Sequence, residues 1–234
     1  METNLRPISG YVGVVDHLRR EISLGRILPG ERLPPERKLA EQLGVARETL
    51  RQALRVLEGS GQVTITRGAA GGAIVQDSAP NPDRALHELR ERGDELFALV
   101  EYRLAIESVA AGLAAERRSE ENLTAMEEAQ EQLAHATNKY ESRRADTAFH
   151  LAVANAARNP YFANAIEDAR AAMFDPVDLA SFEFVMESSH SQHHQIITAI
   201  RSGDRAAAED AMRAHVNHTR DEVAKLIGTG QVTS

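Results

Sequence analysis

The chain of 234 residues contains no cysteine. Disulfide bonds and thiolate metal sites are therefore excluded, and the composition is compatible with a reducing cytoplasm. No apolar run approaches the roughly 18–20 residues that a membrane-spanning helix needs, and the N-terminus lacks the apolar core of a signal peptide. Internal repeats and low-complexity tracts are also absent. We therefore expect a globular cytoplasmic protein that does not bind a membrane.

The net charge of -8 is unevenly distributed along the chain. Residues 1–78 hold 11 Lys and Arg against 9 Asp and Glu, whereas residues 79–234 hold 16 against 26. Such an asymmetry indicates two parts with different partners. The clearest linker is 77–83, where two prolines stand among small polar residues. We predict domains over 1–76 and 84–228, joined by this linker.

The segment from Pro34 to Val75 has the pattern of a helix, a tight turn, a second helix and a hairpin. Apolar residues recur in the second helix at three- and four-residue spacing, which predicts a buried stripe. These residues are Leu50, Ala53, Leu54 and Leu57. The opposite face carries arginines, and residues 62–66 alternate as a strand does before a glycine-rich tip. This order is that of a winged helix, whose arginine-faced helix fits the major groove of DNA.

Nearly every segment between the linker and Gly228 has helical periodicity. Seven helices are predicted, with short connections that favour an antiparallel bundle. They span residues 83–91, 94–117, 119–137, 139–157, 160–173, 185–202 and 204–226. The predicted fold class is therefore mainly α, with an N-terminal winged helix-turn-helix and a C-terminal antiparallel helical bundle.

Three of these helices each place a metal-binding side chain within an apolar stripe. Asp146 and His150 lie four residues apart and share one helix face, whereas His193 and His215 are in phase with the apolar residues of two other helices. One carboxylate and three imidazoles suit a divalent ion, with zinc preferred and nickel or manganese as alternatives. A histidine hydrogen-bonded to the backbone is the ordinary alternative for each, and spacing leaves open whether His190 joins the site.

Arg103 also falls within an apolar helical stripe. A buried guanidinium requires an anionic partner. An internal carboxylate, from Glu107 or Asp146, and the carboxylate of a bound ligand are equal alternatives for that partner.

Several blocks of the first domain resemble, in the same order, the winged-helix domain of GntR-family bacterial regulators. The matching blocks are Leu28–Pro34, Glu36–Ala40, Val45–Leu54 and Arg67-Gly68. The second domain resembles the all-helical FCD effector domain of the FadR-type branch. Its matching blocks are Arg103–Glu107, Asp146–His150, His193–Ile200 and Ala211–His215. Together the resemblance covers nearly the whole chain.

The resemblance implies which residues contact DNA. They are Arg37, Arg47, Thr49 and Arg51 of the two helices, and Arg67 and Gly68 of the wing. Arg47 and Arg51 are four residues apart, so both face one groove, where arginine can bind a guanine edge bidentately. The family usually has Ser or Thr at the position of Ala46, so this chain lacks a helix N-cap and a hydroxyl that could contact phosphate there.

The resemblance further implies a regulator that senses an organic acid, and not an enzyme. The implied metal ligands are Asp146, His150, His193 and His215. A small carboxylate effector would occupy open coordination positions beside Arg103. Its binding is expected to shift helix packing and lower the affinity of a homodimer for a pseudo-palindromic operator, which would make the protein a repressor.

Three other functions fit parts of the pattern. A DNA-binding protein with a purely structural metal differs only in having no effector. A metal-dependent hydrolase could use the same cluster to activate water, although no dedicated general acid or base stands out and the DNA-binding half would be unexplained. A carboxylate-bridged di-iron site needs two Glu-x-x-His motifs, and only Glu187–His190 is present.

Overall fold

A computed structural model describes residues 10–66, 72–77, 87, 89–177 and 182–228. The chain divides into two compact units, Met1–Pro80 and Asn81–Ser234, and the boundary falls inside the segment predicted as a linker. The described residues are mainly helical with one small two-stranded sheet, so the predicted fold class is confirmed. None of the helices in this part of the chain is both long and apolar enough to cross a membrane.

The described part of the first unit contains three helices followed by a hairpin. The elements are α1 (Gly10–Ser23), α2 (Glu36–Leu43), α3 (Arg47–Gly59), β1 (Val63–Thr66) and β2 (Gly72–Val75). The strands pair antiparallel, with Val63 opposite Val75 and Thr66 opposite Gly72. This arrangement is the predicted winged helix.

A short segment before α2 also pairs with β2, which the sequence pattern did not indicate. Arg32 forms an isolated antiparallel bridge with Ile74. The Leu33 amide donates to the Ala73 carbonyl at 2.9 Å. A single bridge is too short to produce a detectable alternation of apolar and polar residues, which explains the omission.

The turn between α2 and α3 sets the orientation of α3. Gly44 ends α2 in the left-handed conformation, with φ 67° and ψ 29°, which glycine adopts without steric cost. α3 begins at Arg47 without a side-chain cap, because Ala46 at the N-cap has no acceptor to offer. Leu50 and Leu57 on the inner face of α3 are fully buried. The arginine face therefore points outward.

The described part of the second unit contains six long helices. They are α4 (Gly93–Arg117), α5 (Glu120–Ala134), α6 (Lys139–Ala156), α7 (Pro160–Val177), α8 (Phe182–Ser202) and α9 (Arg205–Gly228). α4 is the central helix, since it packs against α6, α7, α8 and α9. Of the helix predicted over 83–91, only residues 87 and 89–91 are described, and they are helical.

Three predicted helix ends in this unit were wrong. The helix predicted over 160–173 continues through Asp175-Pro176 to Val177. Proline removes one backbone donor, and within the last turn of a helix that loss affects a single hydrogen bond. α5 ends at Ala134, three residues earlier than predicted, and α8 begins at Phe182, three residues before the predicted start.

α4 and α9 approach each other closely at Gly112. A Cβ atom at this position would lie 2.6 Å from the Cγ of Glu209 on α9. Glu209 is itself held by Arg205, whose Nε donates to Glu209 Oε1 at 2.9 Å. Arg205 also donates to Glu116 of α4 at 3.1 Å. A larger residue here would therefore have to displace the Glu209 side chain from its position beside Arg205, whereas the backbone conformation sets no such limit.

We predict that Gly112→Ala destabilises the second unit, although the same change in an exposed helix interior would stabilise it by about 1 kcal/mol. The added methyl group overlaps Glu209, and such overpacking costs about 1–3 kcal/mol. Urea denaturation followed by circular dichroism measures the loss. The double variant Gly112→Ala/Glu209→Ala should recover stability, and a double variant no more stable than Gly112→Ala alone would contradict the explanation.

Candidate metal centre and nucleic-acid interface

Four side chains from three helices converge in the interior of the second unit. One ligand atom from each of Asp146, His150, His193 and His215 lies within 4.8 Å of the other three. α6 supplies the first two residues, α8 supplies His193 and α9 supplies His215. The histidines are at most 3% exposed, whereas the Asp146 side chain is 19% exposed. The ring of His193 stacks on Phe149 with centroids 3.7 Å apart, which fixes its plane.

The atoms that face one another are the histidine Nε2 atoms and one carboxylate oxygen. His215 Nε2 lies 3.2 Å from His150 Nε2. Asp146 Oδ1 lies 3.3 Å from His193 Nε2 and 3.9 Å from His150 Nε2. Among the described residues, Asp146 Oδ1 and both ring nitrogens of His193 make no well-aligned hydrogen bond. Two ligands bound at about 2.1 Å to one tetrahedral ion are about 3.4 Å apart, so this donor set fits a divalent metal.

Two of the imidazoles are oriented through their second nitrogen. His150 Nδ1 contacts the carboxylate of Glu107. His215 Nδ1 lies 2.7 Å from the amide oxygen of Gln192. An acceptor beside Nδ1 keeps the proton there and leaves the Nε2 lone pair directed at the centre of the cluster. Proteins commonly hold metal-binding histidines in this way.

Two buried arginines flank the cluster. Arg103 is 3% exposed and Arg170 is 1% exposed. The Nε of Arg103 donates to Glu107 Oε1 at 2.5 Å, so an internal carboxylate is one partner of this guanidinium. Its Nη1 lies 3.1 Å from the sulfur of Met173, which is a weak acceptor. Arg170 contacts the carboxylate of Asp146.

Arg170 and Gln192 were missing from the sequence prediction. Arg170 lies between Ile166 and Met173 on one helix face, and all three are buried. A charge within an apolar stripe was therefore an available signal, as it was for Arg103. Gln192 offered no such signal, because a half-buried neutral amide is ordinary in a helix.

The other histidines of α8 lie outside the cluster. His190, which spacing left open, is exposed, and its Nε2 lies 3.5 Å from Nε2 of Gln130. It does not join the group of four found among the described residues. His194 is also exposed.

Burial keeps the three histidines neutral. Desolvation lowers the pKa of His150 to about 4, with the Glu107 carboxylate opposing the shift and Arg170 adding to it. Desolvation likewise lowers the pKa of His193, and it holds the pKa of His215 well below its ordinary value. Neutral imidazole is the form that can bind a metal.

The two carboxylates of the site stay ionised. Burial alone would raise the pKa of Glu107, but Arg103 and His150 hold it well below the usual range. Burial opposes ionisation of Asp146 as well, and Arg170 outweighs it, so the pKa of Asp146 also lies well below the usual range. The site therefore contains two ion pairs whose formal charges cancel.

These shifts predict that the metal-free protein loses stability in acid. An unfolded histidine titrates near pH 6.5, whereas folded His150 titrates at about 4. The unfolded state therefore binds more protons below pH 6.5, and stability falls as the pH drops from about 6.5 towards 4. Each such histidine contributes a slope of about 1.4 kcal/mol per pH unit.

Urea denaturation in the presence of a chelator, between pH 7.5 and 5, measures this slope. His150→Gln should reduce it by the contribution of one proton, while His194→Gln at the exposed neighbouring position should leave it unchanged. A pH dependence that is the same in His150→Gln and in the unmodified protein would show that His150 is not a source of the acid sensitivity.

Four of the residues predicted to contact DNA lie on α2 and α3. Arg37, Arg47 and Arg51 are exposed, and Thr49 is partly buried. Arg67 and Gly68 lie outside the described residues. Arg47 and Arg51 are one turn apart on the outer face of α3, and exposed guanidinium groups at this spacing suit a DNA groove.

Comparisons with known proteins identify two families in the chain. The model of bacterial regulatory proteins of the gntR family matches residues 10–71, and the model of the FCD domain matches residues 98–218. The HTH-type transcriptional regulator LutR of Bacillus subtilis (strain 168) is 28% identical over 209 residues, which cover 86% of this chain and 94% of LutR. The Glc operon transcriptional activator of Escherichia coli (strain K12) is 28% identical over 232 residues, which cover 92% of this chain and 89% of the activator.

A solved structure of E. coli McbR/YncC is similar with a TM-score of 0.54 at 20% sequence identity, covering 93% of this chain and 98% of that one. At this identity the likeness shows the fold alone. The winged helix, the helical bundle and the family matches define a DNA-binding transcriptional regulator and not an enzyme. The chain belongs to the GntR family of bacterial regulators, in the FadR-type branch whose second domain is an FCD domain.

Proposed function

We propose that this regulator senses a small carboxylate through a divalent metal held by Asp146, His150, His193 and His215. The convergence of three imidazole nitrogens and a carboxylate oxygen in a buried site carries the proposal. Asp146 Oδ1 and the ring nitrogens of His193 make no well-aligned hydrogen bond among the described residues, which supports the proposal further. The donor set suits zinc, with nickel and manganese as alternatives.

Four protein ligands fill a tetrahedral ion, so an effector oxygen would require an ion that accepts a fifth or sixth ligand, and that ion would supply a Lewis-acidic centre. The protein's own residues prepare that centre. Glu107 and Gln192 hold the rings of His150 and His215 with their Nε2 atoms inward. Ligands that are held in place before binding lose less conformational freedom when the ion arrives.

The charge of the site favours an anionic effector. The pairs Arg103–Glu107 and Arg170–Asp146 cancel in formal charge, and the histidines are neutral. A divalent ion would add two positive charges to this interior, and buried charge is costly unless a counter-charge accompanies it. A carboxylate or hydroxy acid supplies one. Arg103 could donate to it from Nη1, which faces the weak acceptor of Met173.

We predict that the protein binds one divalent ion per chain and that His215→Gln loses it. Plasma mass spectrometry after dialysis against zinc measures the content, and His194→Gln, with an exposed histidine removed, is the matched control. Equal zinc content in His215→Gln and the unmodified protein would exclude the cluster as the metal site.

The effector is tested by isothermal titration with acetate, lactate, malate and citrate, before and after chelation. We expect at least one acid to bind, with an affinity about 10-fold or more weaker after the metal is removed. Acid binding that survives chelation unchanged would separate the metal from sensing. Lack of binding by any carboxylate would favour the alternative of a DNA-binding protein with a purely structural metal.

Regulation is proposed to operate through a homodimer, with 1–76 as the DNA-binding domain and 84–228 as the effector domain. One winged helix contacts only a half-site, so specific binding to a pseudo-palindromic operator requires two. The effector must prefer one of two states of this dimer if it is to change operator affinity. We propose repression that the effector relieves. One relative is named an activator. Measurement of operator occupancy with and without effector decides whether the effector lowers or raises operator affinity.

The proposed DNA contacts fall on two helices and the wing. They are Arg37, Arg47, Thr49, Arg51, Arg67 and Gly68. A bidentate arginine contributes about 1–3 kcal/mol of discrimination between bases. Exposure of Arg47 and Arg51 on the outer face of α3 supports their part in this set.

We predict that Arg51→Ala lowers the affinity for a duplex selected by the unmodified protein from a random library by about 10-fold or more. Fluorescence anisotropy with the full chain measures it. Arg144→Ala, at an exposed position of α6, makes the same charge change and should have little effect. Equal affinities of Arg51→Ala and Arg144→Ala would remove Arg51 from the base-reading surface.

A further inference from the structure

The arginine face of α3 is bound by a carboxylate from the preceding helix. Glu36, the first residue of α2, accepts a hydrogen bond from Arg51 Nε at 2.8 Å through its Oε2 atom. Arg47 Nη2 lies 3.9 Å from the same oxygen. Glu48, one turn before Arg51 on α3, lies 3.9 Å from Arg51 Nη1. The side chains of both arginines stay about half exposed while they share Glu36.

The position of Glu36 is set by the backbone around it. Pro35 immediately precedes it at the N-cap of α2, with φ at -49°. Proline restricts its own φ and thereby defines the start of the helix. A carboxylate in the first turn of a helix also interacts favourably with the helix dipole. The backbone therefore gives Glu36 a defined position at the start of α2, and its carboxylate can hold the longer, more flexible Arg51 side chain.

The geometry of the pair leaves one edge of the guanidinium for DNA. Arginine has five donors in a rigid planar fork, and Glu36 uses the Nε donor of Arg51. The terminal Nη groups are the ones that reach O6 and N7 of guanine in bidentate recognition. An arginine anchored at Nε is therefore restricted to fewer orientations, and those that remain can still present the Nη edge to a base.

The same carboxylate disfavours contacts that carry no sequence information. Non-specific affinity comes from arginine and lysine bound to phosphates. A negative charge shared by Arg47 and Arg51 repels phosphate and competes with it for both guanidinium groups. Exposed ion pairs contribute little to folding stability. We therefore expect the pair of Glu36 and Arg51 to affect DNA recognition and not the stability of the fold.

We propose that Glu36 is a positioning residue for base recognition, which holds Arg51 for a guanine edge and keeps Arg47 and Arg51 from binding phosphate indiscriminately. The inference rests on the proposed contact of these arginines with DNA. It predicts that removal of the Glu36 charge makes the protein bind DNA more tightly in general and less selectively.

The test compares Glu36→Gln with Glu41→Gln in the full chain. Glu41 is exposed on the same helix, so the two variants make the same charge change. Anisotropy titrations use a random-sequence duplex and the duplex selected by the unmodified protein, at several salt concentrations. In Glu36→Gln the ratio of selected to random affinity should fall about 10-fold. The salt dependence with the random duplex should steepen by about 0.9 for each arginine released to phosphate.

Glu41→Gln should leave both the ratio and the slope unchanged. A ratio in Glu36→Gln that matches Glu41→Gln would overturn the inference. Thermal melting verifies that each variant folds. If Glu36→Gln does not fold, Glu36→Asp is used in its place, because it keeps the charge but shortens the reach to Arg51. Glu36→Asp is expected to lower the ratio by a smaller factor, and an undiminished ratio in this variant would also overturn the positioning role.

The double variant Glu36→Gln/Arg51→Ala separates this inference from the function on which it rests. If Glu36 acts mainly through Arg51, Glu36→Gln should lower the ratio much less in the Arg51→Ala background than in the unmodified protein, and the remaining loss is the part that acts through Arg47. Additive losses would show that Glu36 acts by another route. If Arg51→Ala itself keeps the full ratio, the proposed DNA contact fails. If Arg51→Ala lowers the ratio of selected to random affinity while Glu36→Gln leaves it unchanged, only the role of Glu36 fails.

Discussion

The second unit depends on a polar network enclosed by apolar helices. Polar groups removed from water cost free energy unless they are paired. Arg103, Glu107 and His150 form one connected chain of contacts, and Arg170 is paired with Asp146. Such pairs seldom add stability compared with an apolar core of the same volume. Their persistence, together with histidine pKa shifts caused mainly by burial, is typical of a functional site.

The arginines of α3 in the first unit are exposed, in contrast to the buried arginines of the second. The leucine stripe of α3 is buried in the winged-helix core, so the arginines on the opposite face of the helix point to solvent. There the guanidinium groups of Arg47 and Arg51 are held by Glu36 and not by a buried partner. Exposed pairs of this kind contribute little to folding stability. One chain therefore combines an enclosed charge network in its second unit with an exposed one in its first.

Helical phase explains why the cluster of the second unit could be predicted before its distances were known. Asp146 and His150 lie one turn apart, and His193 and His215 each share a face with apolar residues that must point inward. The helices carrying them begin and end close to the predicted residues. Arg170 follows the same rule, but arginine is not a metal ligand, so a pattern of metal-binding residue types does not include it. The continuation of α7 through Pro176 was missed because proline is a break only on average.

The amino-acid sequence by itself determined the two-part architecture, the helical faces, the glycine turn before α3 and the residue types available for a metal and for DNA. These properties follow from local periodicity and local backbone preference, which every short segment carries. The tertiary structure alone decided that Glu107 binds Arg103, that Arg170 binds Asp146 and that Glu36 binds Arg51. Most such choices depend on how far apart two helices pack and at what angle. Those quantities arise from the whole set of contacts and are not encoded in the period of any one segment.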